Sequence, residues 1–291
     1  MKPHLAKITV IGDDKKGVIA QVTNYVFENG ANIEDIDQKV IKNLFQMIMR
    51  IDISDLKVSH EEFEEGLKKL EKSLLMEIKL EFHVAKKTPQ MVLLVTNEDH
   101  CLKALLKNWK EGLLIAQIPL IIGSNSSLKY IADEHQIPFY VFDNPNRKKN
   151  EIAMLEFLKN FEVDLIVLAR YMKILTPDFV WRYENKIINI HPSLLPSFPG
   201  AEAYRQAFEK GVKIAGVTAH FVTMDLDQGP IITQEAFSIN PGMSLEQIKK
   251  VGQQAEIKAL NQAVKLFLDK NISIYWNKVH LKDNELNQDI F

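Results

Sequence analysis

From Met91 onward one unit recurs along the chain: a short run of uninterrupted apolar residues, then a stretch with helical spacing. The apolar runs are Met91–Thr96, Ile115–Ile122, Phe139–Phe142, Leu165–Leu168 and Ile187–Ile190, with helical stretches at Cys101–Trp109, Leu128–His135 and Glu151–Phe161. A strand that is apolar throughout must be covered on both faces, and crossover helices on a parallel sheet supply that cover. The pattern therefore predicts an α/β fold, Rossmann-like, with a mostly parallel sheet. Ile214–Val222 and Pro230–Phe237 read as an antiparallel pair added to it. Ser244 opens a long helix to Leu268, with Glu246 in its first turn, where the macrodipole favours a carboxylate.

The residues before Met91 follow another rule. Leu5–Ile11, Ile33–Val40, Leu44–Ile53 and Met76–Val84 have strand character. Val18, Val22, Tyr25 and Val26 recur at helical spacing before Gly30, and His60–Leu75 is a charged amphipathic helix with Phe63, Leu67, Leu70 and Leu74 on one side. The order βαββαβ is ferredoxin-like. Lys86-Lys87-Thr88-Pro89-Gln90 reads as a linker between a domain at 1–85 and a second at 90–291. A length of 291 residues supports two domains at roughly 100–200 residues each.

Charge and cysteine content remove several classes of function. Lys and Arg number 36 against 38 Asp and Glu, a net charge of −2, which excludes a nucleic-acid binder that relies on a broad basic surface. One cysteine, Cys101, allows no intramolecular disulfide and no cysteine-only metal site. No apolar run reaches the roughly 18 residues that span a bilayer. Met1-Lys2-Pro3-His4 is not followed by the apolar core of a secretion signal, so a cytoplasmic protein is expected.

The stretch richest in chemistry is Asn189-Ile190-His191-Pro192-Ser193-Leu194-Leu195-Pro196-Ser197-Phe198-Pro199-Gly200. Asn189 and His191 stand two apart at the end of a strand, so both point to one side. They sit at the carboxyl edge, where open α/β sheets place ligands. The prolines force an extended loop. Leu226-Asp227-Gln228-Gly229-Pro230 puts a carboxylate in a turn between two apolar strands. An amide donor, an imidazole and a carboxylate suit acyl transfer at a carbonyl: Asn189 donates to a developing oxyanion, His191 does the same or acts as acid, and Asp227 orients His191 or holds a water. Read alone, Asn-x-His in a loop is more often a capped turn, and Asp-x-Gly-Pro is simply a good turn.

Joined to Gly216-Val217-Thr218-Ala219-His220-Phe221-Val222-Thr223 and Asp227-Gln228-Gly229-Pro230-Ile231-Ile232, this string resembles the folate-dependent formyltransferase superfamily over roughly residues 90 to 280. The resemblance implies Asn189, His191 and Asp227 as the catalytic trio, with Met172-Lys173-Ile174-Leu175 and Gly229 at the folate. Read without it, Met172 and Leu175 are core packing. Gly17-Val18-Ile19-Ala20, Asn29-Gly30-Ala31-Asn32-Ile33 and Asp35-Ile36-Asp37-Gln38 resemble an ACT domain. An ACT domain ahead of this fold is the arrangement of the formyltetrahydrofolate deformylases, which Asp99-His100-Cys101-Leu102 and Leu168-Ala169-Arg170-Tyr171-Met172 also resemble. That membership implies hydrolysis of 10-formyltetrahydrofolate to tetrahydrofolate and formate, supplying formate for purine synthesis and balancing one-carbon pools. It implies no prosthetic group or metal, a homo-oligomer (dimer or tetramer), and glycine or methionine as effector at the ACT domain, around Gly12–Gly17 and Asn32. Pro192 stands where deformylases usually carry a second His, and Gln228 where they carry Glu. Both lean toward the transferases and keep transfer to an amine such as glycinamide ribonucleotide as the alternative. Against that, Thr96-Asn97-Glu98-Asp99-His100-Cys101-Leu102 lacks the glycines of a phosphate loop. A non-catalytic folate-binding ACT sensor is the alternative from another class.

The remaining candidates have plainer readings. Cys101 is small buried filler and His220 a hydrogen-bonded core histidine beside the site. His60-Glu61-Glu62 opens a charged helix without a Cys-x-x-Cys partner, so no metal is expected there. Arg147-Lys148-Lys149 reads as a solvated loop within reach of a folate's glutamate tail.

Overall fold

The computed structural model describes residues 5–41, 43–82, 88–198, 200 and 202–281. Lys86 and Lys87 of the expected linker, His83 and Val84 of the expected fourth strand, and Pro199 of the proline loop lie outside these residues. The chain divides into two units, Met1–Lys87 and Thr88–Phe291.

In the first unit, β1 (Leu5–Asp13), β2 (Asn32–Ile41), β3 (Leu44–Asp52) and β4 (Glu77–Phe82) form an antiparallel sheet of order β2-β3-β1-β4, the ferredoxin-like arrangement. On one face of β3 Gln46 is buried, Ile48 partly so and Arg50 exposed, while on the other Phe45, Met47, Met49 and Ile51 are all buried. Two helices cover that face. In α1 (Val18–Glu28) Val18, Val22 and Val26 form a buried stripe four residues apart. In α2 (His60–Leu74) a capping box between Ser59 and Glu62 satisfies the first turn, and Phe63 and Leu67 enter the same core.

The second unit contains β5 (Met91–Val95), β6 (Ile121–Gly123), β7 (Phe139–Val141), β8 (Leu165–Ala169), β9 (Ile187–His191), β10 (Ile214–Phe221) and β11 (Ile231–Ser238), in the order β11-β10-β9-β8-β5-β6-β7. From β9 to β7 every pairing is parallel, and β10 and β11 add antiparallel strands. All five residues of β5 and of β8 are buried, so the sheet is covered on both faces. One layer holds α3 (His100–Lys110) and α8 (Leu245–Leu268); α5 (Arg147–Leu158) and α6 (Pro177–Arg182) pack on the other side. The chain winds from β5 through β6 to β7, then returns to lay β8 on the far side of β5. The sheet's topological switch point therefore lies between β5 and β8, where open α/β sheets take ligands.

Two expectations need correction. Only Ile121–Gly123 of the run 115–122 is a strand, and Ile115 is 66% exposed. Gln117 bridges to Gln90 alone, and Pro119 offers no N–H to continue a ladder. Arg147-Lys148-Lys149 is not a loop but the first turn of α5, because Asn146 caps it by accepting from the Lys149 N–H at 3.0 Å. Sequence spacing also missed α6, α7 (Ala203–Glu209) and a terminal hairpin of β12 (Ile272–Tyr275) and β13 (Lys278–Leu281), whereas α4 (Lys129–Glu134) falls where expected. No helix among the described residues is long and apolar enough to cross a membrane.

Candidate active site

The site is assembled where β9 ends beside β10. Register pairs His191 with Thr218 and Asn189 with His220, so the four side chains are cross-strand neighbours on one face. A bulge between Ala219 and His220, where β10 pairs with β11, locally re-aims the strand at this point. The proline loop that follows β9 is tied to these strands. The Thr218 hydroxyl donates to the Ser193 carbonyl (2.7 Å) and accepts from the Leu195 N–H (3.0 Å), while the Gln234 amide reaches the Leu195 carbonyl at 3.1 Å. The loop thus arrives over His191 in a fixed path.

His191 is 5% exposed. Its Nε2 lies 3.1 Å from the Phe198 carbonyl and its Nδ1 3.3 Å from Asp227 Oδ2. Both partners are acceptors, so the form that satisfies both contacts carries a proton on each nitrogen. Asp227 Oδ2 also accepts the Gly200 N–H at 2.9 Å. His220 behaves differently. Its Nδ1 faces the Phe221 carbonyl at 2.9 Å and so carries the proton, leaving Nε2 to accept from the Asn189 amide at 3.2 Å. Burial lowers its pKa, which agrees with a neutral ring. His220 therefore fixes the rotamer of Asn189, whose second N–H remains as a donor toward the cavity. Asp227 Oδ1 lies 3.9 Å from His220 Nε2, which closes the group.

The turn that carries Asp227 is held in a conformation few residues adopt: Asp227 has φ +55. Asp tolerates that region better than most side chains. Gly229 is not on the cavity wall, although the sequence placed it at the folate. Its role is backbone approach: a Cβ there would stand 1.7 Å from the Phe221 carbonyl oxygen, so only glycine lets the Asp227 turn close against β10.

A cavity of about 720 Å³ opens on Asn189, His191, His220 and Asp227. Its opposite wall is the segment Tyr171–Leu175. Met172 and Ile174 are 59% and 57% exposed there, an apolar surface suited to a flat heterocycle, while Leu175 is buried and also serves the core. Lys173 lines the cavity beside them. The Thr96 hydroxyl accepts the Met172 N–H (3.0 Å), and the buried Glu151 accepts the Thr176 N–H (2.8 Å), so both ends of the segment are fixed. Burial, with the charge of Glu151, pushes the Tyr171 phenol up to about 12.

Sequence reasoning missed a second polar group on the same cavity. Glu256, in the middle of α8, is wholly buried. It accepts from the Tyr204 hydroxyl (2.6 Å), lies 2.9 Å from His100 Nε2 and 3.4 Å from Arg170 Nε. Arg170 donates to Glu98 at 2.8 Å. Burial works against ionised Glu98, but the hydrogen bond and charge of Arg170 prevail and lower its pKa. His100, Cys101 and Glu256 place ligand-type atoms within 4.8 Å of one another. The Arg170 guanidinium lies against the same carboxylate, so a cation there would face a fixed positive charge, and the set does not fit a metal. Burial pushes the Cys101 thiol well up, away from a reactive thiolate.

Residues 89–264 match the family described as formyl transferase, and residues 4–84 match the ACT domain. The formyltetrahydrofolate deformylase of Synechocystis is 36% identical over 282 residues, covering 96% of this chain and 98% of that protein. The crystal structure of a formyltetrahydrofolate deformylase from Pseudomonas syringae superposes with a TM-score of 0.67 at 28% identity, covering 97% of this chain and 96% of that one. Glycinamide ribonucleotide transformylase 1 from Symbiobacterium toebii gives a TM-score of 0.65 at 33% identity, over 67% of this chain and 95% of its own. The last likeness stops at about two thirds of the chain, whereas the first two run through both units: the chain belongs to the formyltetrahydrofolate deformylase family.

Proposed function

We propose that this cavity hydrolyses 10-formyltetrahydrofolate to tetrahydrofolate and formate, with Asn189, His191 and Asp227 as the catalytic residues. The observation that carries the reading is their convergence: a donor amide and an imidazole at one strand end, with a carboxylate 3.3 Å from the imidazole, facing an exposed apolar segment. The heterocycle lies against Met172–Leu175, with Lys173 beside it, and the formyl oxygen takes over the His191 N–H that Phe198 accepts. Asp227 holds a water against the formyl carbon and receives its proton. As the water oxygen attacks, negative charge grows on the formyl oxygen, and Asn189 and His191 donate to it. Collapse breaks the C–N10 bond, the proton held by Asp227 passes to N10, and formic acid leaves and ionises to formate. Side chains supply every charge in this scheme, and no metal takes part.

The formate would feed purine synthesis, and the tetrahydrofolate released with it would return to the one-carbon pool. The ACT unit is read as the seat of control by a small ligand such as glycine or methionine, and as an oligomer-forming surface.

Transfer to an amine is the competing chemistry, because a transformylase shares this fold. Incubation with 10-formyltetrahydrofolate and no amine separates the two. Catalytic release of formate is the expected result. Release only after glycinamide ribonucleotide is added would sink the hydrolytic reading.

A further inference from the structure

We infer that Arg170, held by Glu98 and Glu256, closes the acceptor side of the cavity and so confines the reaction to water. The inference rests on the hydrolytic reading above and names what enforces it. The fold leaves the question open, since a transformylase that uses an amine shares it.

Register places Arg170 at the reaction centre. Leu168 on β8 pairs with Asn189 on β9 and β8 ends at Ala169, so Arg170 follows at the same carboxyl edge as His191, and both line the cavity. Val95 on β5 pairs with Ala169, and Glu98 follows three residues after Val95. Arg170 and Glu98 therefore sit over the crevice between β5 and β8, the sheet's switch point, where a second substrate would enter. The crevice holds a network of fixed charges instead.

The backbone shows that the arginine is held there at a cost. Arg170 has φ +61, a region disfavoured for a side chain such as arginine and free for glycine. Its side chain does not extend to solvent, being 11% exposed. It is drawn inward by Glu98 at 2.8 Å and by the buried Glu256 at 3.4 Å, which Tyr204 and His100 fix in turn. A strained residue whose long side chain is anchored at two carboxylates, on the wall of the catalytic cavity, is a filler of that space. Water still reaches the formyl carbon past it. A primary amine carrying a substituent does not.

The test uses the full-length chain with Arg170→Gly, which relieves the backbone, and Arg170→Gly with Glu256→Gln, which also removes the carboxylate left without its cation. Each is incubated with 10-formyltetrahydrofolate and glycinamide, and formate and N-formylglycinamide are measured by mass spectrometry. In the transfer, the amine nitrogen attacks the formyl carbon, the C–N10 bond breaks, N10 gains a proton and the amine loses one. Wild type is expected to give formate without formylated amine. At least one variant should raise the ratio of N-formylglycinamide to formate by about tenfold or more. Folded variants that release formate alone overturn the proposal, as does wild type that formylates glycinamide. Failure of both variants to fold also overturns it, by assigning Arg170 to structure. Wild type that releases no formate without amine instead refutes the hydrolytic reading, in a separate arm.

Discussion

Alanine in place of Asn189 or of His191 is expected to lower the turnover of formate release by about 10²–10³-fold while the protein stays folded. Each residue offers an N–H where charge appears only in the transition state, so the loss falls mainly on kcat. The two losses differ in origin. Asn189→Ala removes a donor whose aim is set by His220, through the 3.2 Å contact from the amide. His191→Ala removes a donor anchored by Asp227 at 3.3 Å. Asp227→Ala is expected to fall in the same range or below it, because it takes away the water's base and frees His191 and the Gly200 N–H together. Initial rates at saturating folate, with far-ultraviolet circular dichroism on each variant, make the comparison. Turnover near wild type in any of the three would remove that residue from the chemistry.

The second large effect is on stability. Glu256→Ala is expected to destabilise the C-terminal unit by roughly 3–5 kcal/mol, the usual result of breaking a buried ion pair from one side. The carboxylate is 0% exposed, and its removal takes the buried acceptor from the Tyr204 hydroxyl and His100 and leaves the Arg170 guanidinium with Glu98 alone. Urea unfolding followed by tryptophan fluorescence isolates this unit, since Trp109, Trp181 and Trp276 are the chain's 3 tryptophans and all lie within it. Removing Arg170 as well should restore part of the loss, since the buried cation is then gone and Glu98, which loses its partner, is 42% exposed to water. A loss below about 1 kcal/mol for Glu256→Ala would mean that the pair is already open to water.

Much of the fold could be read from hydrophobic pattern alone, and the reason is burial. The strands of the parallel sheet are apolar throughout because both of their faces are covered. Where pattern misled, a local backbone rule had overridden it. The apolar run at 115–120 contains Pro119, and the terminal hairpin turns through Trp276 and Asn277, both at positive φ. That turn lacks the Asn-Gly signature that usually reveals such a hairpin, which hid it. The candidate site divides in the same manner. Asn189 and His191 were legible because two-residue spacing on a strand defines a shared side. His220 was read as a core histidine, and the structure gives it that burial together with a contact to Asn189. Glu98, Arg170 and Glu256 come from three distant segments, and no spacing links them. One signal was available: Glu256 shares the buried stripe of α8 with Gly252, Ala259 and Ala263, and a carboxylate on such a stripe requires buried partners.

The central claim is that a water molecule held by Asp227 attacks the formyl carbon. A single turnover in ¹⁸O-labelled water, with enzyme in excess over 10-formyltetrahydrofolate and no amine present, tests it directly. The predicted product is formate carrying one ¹⁸O atom, with tetrahydrofolate formed in equal amount. Unlabelled formate in that first turnover would contradict it, because the second oxygen would then have come from the protein.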